Sequence, residues 1–175
     1  MKILIVYGSI EGQTAKIAKF AANCAQELGH EVELVDSSAK TAVASFDGVD
    51  RIIAAASVHE RRHPKPFEVF LSAHKTDMNA RPALFLSVSL NAAFEDVRPE
   101  AEEYVVEMNM RTGFTPQSYM LVAGAVRSGA YDYYESQVVR HVLLTDMKYD
   151  ANQTELEFTD WEAVKAGVEA FLKAG

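Results

Sequence analysis

The stretch Ile3-Leu4-Ile5-Val6-Tyr7-Gly8-Ser9-Ile10-Glu11-Gly12-Gln13-Thr14 decides the fold of this 175-residue chain. Its first five residues form an apolar, β-branched run, which predicts an interior strand of a parallel sheet because such strands are covered on both faces. From Ile17 onward, apolar residues recur every three or four positions and predict a helix that ends near Gly29. The chain therefore starts as a buried strand, a small turn and a helix.

The turn between this strand and this helix predicts a phosphate site. Gly8 and Gly12 let the backbone turn tightly, and Ser9 and Thr14 add hydroxyl groups beside the N–H groups of a helix N-terminus. Such a turn binds an anion without a lysine. The residues that we expect to contact the ligand are Ser9, Ile10, Glu11, Gly12, Gln13 and Thr14.

Two common phosphate loops are excluded by the spacing of this turn. It has no Gly-Lys-Ser/Thr ending, as a P-loop requires, and Ile10 and Gln13 stand where a dinucleotide fingerprint needs glycine. The turn resembles instead the FMN loop of flavodoxins, G-[ST]-x-[ST]-G-x-T. Glu11 departs from that pattern, because a hydroxyl is usual at its position.

Composition and charge limit the other classes of function. The chain is 49% hydrophobic, enough for one well-buried core, and we expect residues 1–175 to form a single domain. A net charge of −8 argues against nucleic-acid binding. No apolar run has the roughly twenty residues of a membrane span, and no secretory leader is visible. We expect a cytoplasmic protein with at most peripheral contact at the inner face of the membrane. Cys24, the only cysteine, falls on a buried helix face, where we expect it to fill space.

Strand and helix patterns alternate along the whole chain. The predicted strands are residues 2–7, Glu31–Asp36, Arg51–Ser57, Pro82–Ser89 and Ser118–Gly124, and the predicted helices are Gln13–Leu28, Lys65–His74, Glu95–Met110 and Asp160–Lys173. This alternation predicts an α/β, flavodoxin-like three-layer sandwich. Right-handed crossovers favour a five-stranded parallel sheet in the order 2-1-3-4-5.

This strand order predicts where a ligand binds. The loops Gly8–Thr14, Ser57–His63 and Ser89–Phe94 would meet at the switch point of the sheet, between strands one and three. The first loop would bind the phosphate, and the other two would flank a flat ring such as an isoalloxazine. The ring contacts expected from them are Ser57, Val58, His59, Ser89, Leu90 and Asn91. Neither loop contains Trp or Tyr, so we expect a flavin less covered than in many flavodoxins.

A long insertion separates strand five from the last helix. Apolar residues between Tyr131 and Leu144 have helical spacing, and Glu155–Thr159 alternates as a strand does. This pattern predicts that strand five is interrupted and resumes. Two interpretations of the insertion remain open. It has a functional role, or it is a surface element whose apolar face only packs on the sheet.

Several segments together resemble the menaquinone-dependent protoporphyrinogen dehydrogenase family, flavodoxin-like enzymes of haem biosynthesis with a long insertion in strand five. The resemblance covers nearly the whole chain, and it lies in residues 11–14, 55–58, 85–90, 122–127 and 158–164. It implies an FMN enzyme that oxidises protoporphyrinogen IX and passes electrons to a quinone. The Ala-Gly-Ala-Val-Arg segment and the Thr-Asp-Trp motif distinguish this family from ordinary flavodoxins.

Charge differs from that family in the insertion. Residues 130–158 carry six acids and two basic residues, a net charge of −4, which would repel anionic lipid and porphyrin carboxylates. A basic cluster after strand three offsets this, and we expect Arg61 and Arg62, with Arg127 opposite, to contact a substrate. His59 is the candidate proton shuttle. Each of these residues is equally compatible with a solvated loop that makes salt bridges at the rim.

Two function classes remain open from sequence. The first is a flavin oxidoreductase that takes electrons from a small-molecule reductant and gives them to a quinone. The second is a flavodoxin-type electron carrier, which docks to redox proteins and has no substrate of its own; acidic surfaces are typical of such carriers. No pair of histidines or carboxylates has metal-ligand spacing, so no metal site is predicted. The physiological donor, the acceptor and the oligomeric state are not determined by the sequence.

Overall fold

The computed structural model describes residues 1–39, 42–127 and 155–174. Five parallel strands form the central sheet in the order β2-β1-β3-β4-β5, which confirms the predicted order. The strands are β1 (Lys2–Gly8), β2 (Glu31–Asp36), β3 (Val49–Ser57), β4 (Ala83–Ser89) and β5 (Ser118–Ala123). The helices are α1 (Gln13–Glu27), α2 (Lys65–Asn79), α3 (Arg98–Thr112) and α4 (Trp161–Lys173), with a 3₁₀ turn at Asn91–Ala93.

The two faces of this sheet bury separate apolar layers. One layer packs Ile5 and Ile53 against α1 and α4, and the other packs Leu4 and Phe85 against α2 and α3. All seven residues of β4 are buried, as expected for a strand covered on both sides. The result is the predicted three-layer arrangement, with the carboxyl ends of β1, β3 and β4 at one edge.

Two helices end at different residues from those predicted. Helix α2 continues five residues beyond His74 to Asn79, because Met78 lies one turn further along the buried face and is fully enclosed. Helix α3 begins at Arg98 rather than Glu95, since Pro99 is suited to a first turn, and it ends before Gly113, whose φ is +71°. The other ends agree within two residues, and Asp160 is the predicted N-cap of α4, accepting from Ala163 N at 2.9 Å.

The chain after β5 forms a second, smaller sheet. Strand β6 (Ala125–Arg127) pairs antiparallel with β7 (Glu155–Glu157), and Phe158 N donates to Gly124 O at 2.9 Å. The predicted return of a strand near residue 155 is therefore found, but this strand pairs with β6 and does not extend the parallel sheet. The predicted helical segment between Tyr131 and Leu144 lies outside the described residues.

Candidate functional site

A cavity of about 190 Å³ opens at the carboxyl edge of the sheet, where the loops after β1, β3 and β4 meet. Every residue predicted to contact a cofactor, except Gly12, lines it. The structure therefore brings the three loops together as the switch-point argument requires. The lining comprises Ser9, Ile10, Glu11, Gln13, Thr14, Ser57, Val58, His59, Glu60, Arg61, Val88, Ser89, Leu90, Asn91, Glu100, Tyr104, Gly124, Ala125 and Val126.

The loop after β1 leaves the N-terminus of α1 open. Gly12 has a left-handed φ of +98°, and its N–H donates to Ser9 Oγ at 3.0 Å, which closes the turn. Within the described residues, no side chain caps α1 and no acidic residue occupies its first turn. Its first N–H groups and the positive end of its dipole are thus available to an anion.

Several lining residues bury a polar atom without a hydrogen-bond partner in the described part of the chain, among them Gln13 Oε1, Thr14 Oγ1 and Ser57 Oγ. Thr14 is only 1% exposed. Buried polar groups almost always have partners, since an unmade hydrogen bond costs about 1–3 kcal/mol. These atoms fit a polar ligand that supplies the missing hydrogen bonds, and their positions on the β1 and β3 loops match a phosphorylated, hydroxyl-bearing group.

Gln13 also connects this loop to the chain that follows the insertion. Its Nε2 donates to Glu157 Oε1 at 2.6 Å and to Thr159 Oγ1 at 2.8 Å, and Thr159 Oγ1 in turn donates to Ala123 O at 2.7 Å. Two acceptors at one amide nitrogen fix the orientation of the amide, so Oε1 is the acceptor left for the pocket.

A tight turn follows Val58 and lines one side of the mouth of the cavity. His59 N donates to Arg62 O at 2.9 Å and Arg62 N donates to His59 O at 3.0 Å. The two residues between them, Glu60 and Arg61, have φ of +48° and +64°. This is the left-handed region, which residues other than glycine and asparagine rarely adopt.

The structure separates the two arginines predicted to contact a substrate. Arg61 lines the cavity, whereas the Arg62 guanidinium lies on Glu68, with Nη2 2.6 Å from Oε2. Arg62 is not among the residues lining the cavity, because the buried Glu68 carboxylate holds it on α2. Arg127 contributes its backbone to β6, and its role toward a substrate stays a prediction. His59 lines the cavity, and its proton-transfer role is likewise a prediction.

Glu68 is a buried acid that sequence reasoning missed. Its side chain is 6% exposed and accepts from Arg62 through Oε2 and from Arg111 through Oε1. Burial alone would raise the pKa of Glu68, but the hydrogen bonds from both guanidinium groups outweigh burial and lower it. Glu68 is therefore ionised and joins the β3–α2 segment to the end of α3.

His63 was also missed, since the basic cluster around it suggested a solvated loop. It is 1% exposed, and its Nε2 lies 3.0 Å from Ser87 Oγ on β4. Burial lowers the pKa of His63 to about 3, so it is neutral at physiological pH. A buried histidine beside charged neighbours has no distinct sequence pattern.

Helix α3 supplies a wall of the cavity that the loop sequences do not contain. Tyr104 lines the cavity, and its hydroxyl accepts from Asn91 Nδ2 at 3.0 Å. The Arg61 guanidinium lies 5.4 Å from the centre of the Tyr104 ring and 3.3 Å from Glu100 Oε2. The two loops predicted to flank the ring contain no Tyr or Trp, and this aromatic side chain of the lining comes instead from a helix. Tyr104 shares the core-facing spacing of Ala101 and Met108, which conceals its position.

In the ranges 1–39, 42–127 and 155–174, no group of three His, Cys, Asp or Glu side chains is placed to hold a metal ion. Over the same part of the chain, no helix combines the length and apolar character needed to cross a membrane.

The amino-acid sequence of this chain is similar to those of known proteins. A family model described as a flavodoxin domain matches residues 4–155. Protoporphyrinogen IX dehydrogenase [quinone] of Escherichia coli (strain K12) is 27% identical over 165 residues, covering 94% of this chain and 91% of that protein. The protein of the same name from Leishmania major is 22% identical and covers 94% of this chain and 71% of its own length. These relatives confirm the resemblance read from the sequence motifs.

Solved structures agree on the fold. Oxidised flavodoxin 1 from Bacillus cereus superimposes with a TM-score of 0.61 at 17% identity, covering 100% of this chain and 99% of that one. A short-chain flavodoxin associated with a non-canonical PDU bacterial microcompartment gives a TM-score of 0.53 at 14% identity, with coverages of 85% and 99%.

Proposed function

Because this chain belongs to the flavodoxin domain family, whose model spans residues 4–155, we propose that its cavity binds FMN and that the protein is an FMN-dependent oxidoreductase. The single observation that carries the proposal is the set of buried polar atoms without partners, Thr14 Oγ1 above all, beside the uncapped N-terminus of α1. Their hydrogen-bonding capacity fits a phosphate and its polyol chain.

Each loop at the cavity would bind a different part of FMN. The N–H groups at the start of α1, with the hydroxyls of Ser9 and Thr14, would hold the phosphate. The segments 57–59 and 89–91 would flank the flat ring, with Tyr104 closing the site from α3. When bound, FMN supplies the hydride or electron transfer, so no side chain has to form a covalent bond with the substrate.

The protein adds orientation and, through His59, a proton path. The imidazole lies in the turn at the cavity mouth, where it would take up or release a proton at Nε2 as the substrate is oxidised. Arg61 lies in the same turn, and we propose that it contacts an anionic substituent of the substrate.

The names of the relatives support a proposal for the electron donor and the electron acceptor. Two curated relatives are named protoporphyrinogen IX dehydrogenase [quinone], and the chain covers 91% of the Escherichia coli protein. We therefore propose protoporphyrinogen IX as the electron donor and a quinone as the acceptor. The acids at the cavity mouth, Glu11, Glu60 and Glu100, and the net charge of −4 on residues 130–158 oppose the carboxylates of that donor, which makes the donor the part of the proposal to test first.

A second candidate is an electron carrier of the flavodoxin type. The net charge of −8 favours it, because an acidic surface steers a carrier toward basic redox partners. Stopped-flow mixing separates the two candidates. Reduced enzyme is reoxidised directly by quinone, whereas a reduced carrier reacts with partner proteins and only slowly with quinone.

The proposal is tested in two steps. Purified protein should be yellow, release flavin on denaturation, and take up FMN at micromolar concentration after the flavin is stripped. The FMN-loaded protein is then assayed without oxygen against protoporphyrinogen IX with a quinone, and in parallel against NAD(P)H with the same quinone. A protein that takes up no FMN contradicts the cofactor, and oxidation of NAD(P)H alone contradicts the porphyrin donor while leaving the flavin enzyme intact.

A further inference from the structure

The two oxygens of the buried Glu68 carboxylate bind two different arginines, and we call each of these two contacts an arm. Its Oε2 accepts from Arg62 Nε at 3.0 Å and Nη2 at 2.6 Å, and its Oε1 accepts from Arg111 Nε at 3.1 Å and Nη2 at 2.8 Å. Arg62 belongs to the turn at the cavity mouth, whereas Arg111 lies near the end of α3. One carboxylate therefore reaches both the turn and the C-terminal end of α3 through hydrogen bonds to charged groups, the stronger class of such bonds.

The turn attached to Arg62 is in an unfavourable conformation. Glu60 and Arg61 both have positive φ, a combination that two-residue turns normally build from glycine, asparagine or aspartate. Such backbone persists only where the surrounding structure fixes it. The turn is held on one side by Arg62 on Glu68 and on the other by Arg61, whose guanidinium lies 3.3 Å from Glu100 and 3.6 Å from Glu103.

We propose that Glu68 is a positioning residue of the candidate site. Through Arg62 it holds the turn 59–62 in the left-handed conformation that places His59, Glu60 and Arg61 at the cavity mouth. This inference rests on the proposed function for its consequence, because the turn would lie beside the bound flavin and substrate. Its physical basis, a buried acid that fixes a strained turn, is independent of the ligand.

The two arms supply a matched pair of variants. R62A removes the arm to the turn and R111A removes the arm to α3, and each leaves Glu68 with one guanidinium partner. If the ion pairs of Glu68 only stabilise the fold, both variants should loosen the turn, each in proportion to its loss of free energy of unfolding. The positioning role predicts that R62A alone affects the turn.

The first test needs no flavin. Amide hydrogen exchange of residues 59 and 62 in the ligand-free protein reports the two backbone hydrogen bonds that close the turn. We expect R62A to speed exchange at these amides at least tenfold and R111A to leave it within twofold of wild type. Equal acceleration in both variants, or none in R62A, overturns the proposal. If R62A does not fold, R62K is used instead, since it keeps one ion pair but loses the two-pronged contact.

The second test reads the site in the FMN-loaded protein. We expect E68Q and R62A each to lower kcat at least fivefold with a neutral quinone as acceptor. Both variants should shift the midpoint potential of the flavin in the same direction as each other. The double variant should show no larger change in kcat or potential than either single variant. R111A should leave these values unchanged. If Arg62 instead bound substrate directly, E68Q would free it and would not reproduce R62A, which overturns the proposal. A wild-type protein that binds no FMN refutes the proposed function, and hydrogen exchange then still decides whether Glu68 holds the turn.

Discussion

Gln13 Nε2 lies 2.6 Å from Glu157 Oε1, which joins two residues 144 positions apart. Gln13 is the first residue of α1 and lines the cavity, and Glu157 ends the strand that follows the insertion. The acid also accepts from Trp161 Nε1 at 3.2 Å. The segment after the insertion is therefore tied directly to the loop that we propose for the phosphate, through a charged group.

This link gives a first prediction, on stability. Replacing Glu157 by Ala should lower the free energy of unfolding by about 1–1.5 kcal/mol, because the buried Gln13 amide loses an acceptor, while the exposure of Glu157 itself keeps the loss small. Loss of the ion pair between Glu155 and Lys16, in the E155A variant of the same strand, should cost about 0–1 kcal/mol, since the Lys16 side chain is 51% exposed and surface pairs contribute little. Urea unfolding measures both. Equal losses would mean that the Gln13 contact does not contribute.

The second prediction separates ligand binding from stability at Thr14. Its Oγ1 is buried without a described partner, so T14V should not lower the stability of the ligand-free protein. The variant should bind FMN more weakly by about 1.5–3 kcal/mol, roughly ten- to hundredfold in Kd, because a hydrogen bond to a charged phosphate is lost. Quenching of flavin fluorescence measures the affinity.

T112V is the matched control for T14V. Thr112 is also buried, but its Oγ1 donates to Met108 O at 2.8 Å, and Thr112 is not among the residues that line the cavity. It should leave FMN affinity unchanged. Unaltered affinity in T14V would show that the loop after β1 has been assigned to the wrong part of the ligand.

The sheet order and the meeting of three loops could be predicted because they follow from local patterns. The run Ile3–Tyr7 carries the signature of a strand buried on both faces, and the same holds for β3 and β4. Once five strands alternate with helices, chirality leaves few orders, and the switch point follows from the order. Helix ends were less predictable, as Met78 shows, because burial of one further apolar residue extended α2.

Two residues of the site, Tyr104 in the cavity lining and Glu68 beneath the turn 59–62, could not be predicted from the sequence. The reason is physical. Tyr104 and Glu68 lie inside helices, where their spacing is indistinguishable from core and surface positions of any amphipathic helix. Their roles depend on which way α2 and α3 pack against the loops. A charged residue is normally placed on the surface by sequence reasoning, and Glu68 is buried only because two arginines from separate segments reach it.

The third prediction concerns the close approach at Gly8. A Cβ added there would lie 2.7 Å from Phe67 Cβ, and Phe67 is fully buried, so neither side can move easily. G8A should therefore cost about 2–3 kcal/mol of stability and weaken FMN binding, because the residue ends β1 directly before the phosphate loop. G29A provides the comparison. Gly29 has φ of +81° but open space around it, so the change should cost about 1 kcal/mol and leave affinity intact. Thermal unfolding and FMN titration check both, and a G8A variant as stable as G29A would contradict the packing argument.

The fourth prediction is a pH dependence of stability caused by His63. Burial lowers its folded pKa to about 3, whereas an unfolded histidine has a pKa of about 6.5. Between these values the unfolded chain binds a proton that the folded chain does not, so stability falls as pH drops through this window. Each pH unit should cost up to about 1.4 kcal/mol.

The variant H63Q isolates this effect, since glutamine does not titrate and can still reach Ser87. The pKa of Glu68 is lowered in the folded protein, so its own contribution to stability is complete above its unfolded value of about 4.5 and is lost only below it. Measurement of urea unfolding between about pH 5 and pH 7 therefore avoids Glu68. In that range we expect the free energy of unfolding of the wild type to decline toward acid pH more steeply than that of H63Q. Parallel slopes would mean that His63 takes up a proton in the folded state, and hence that it is not enclosed beside Ser87.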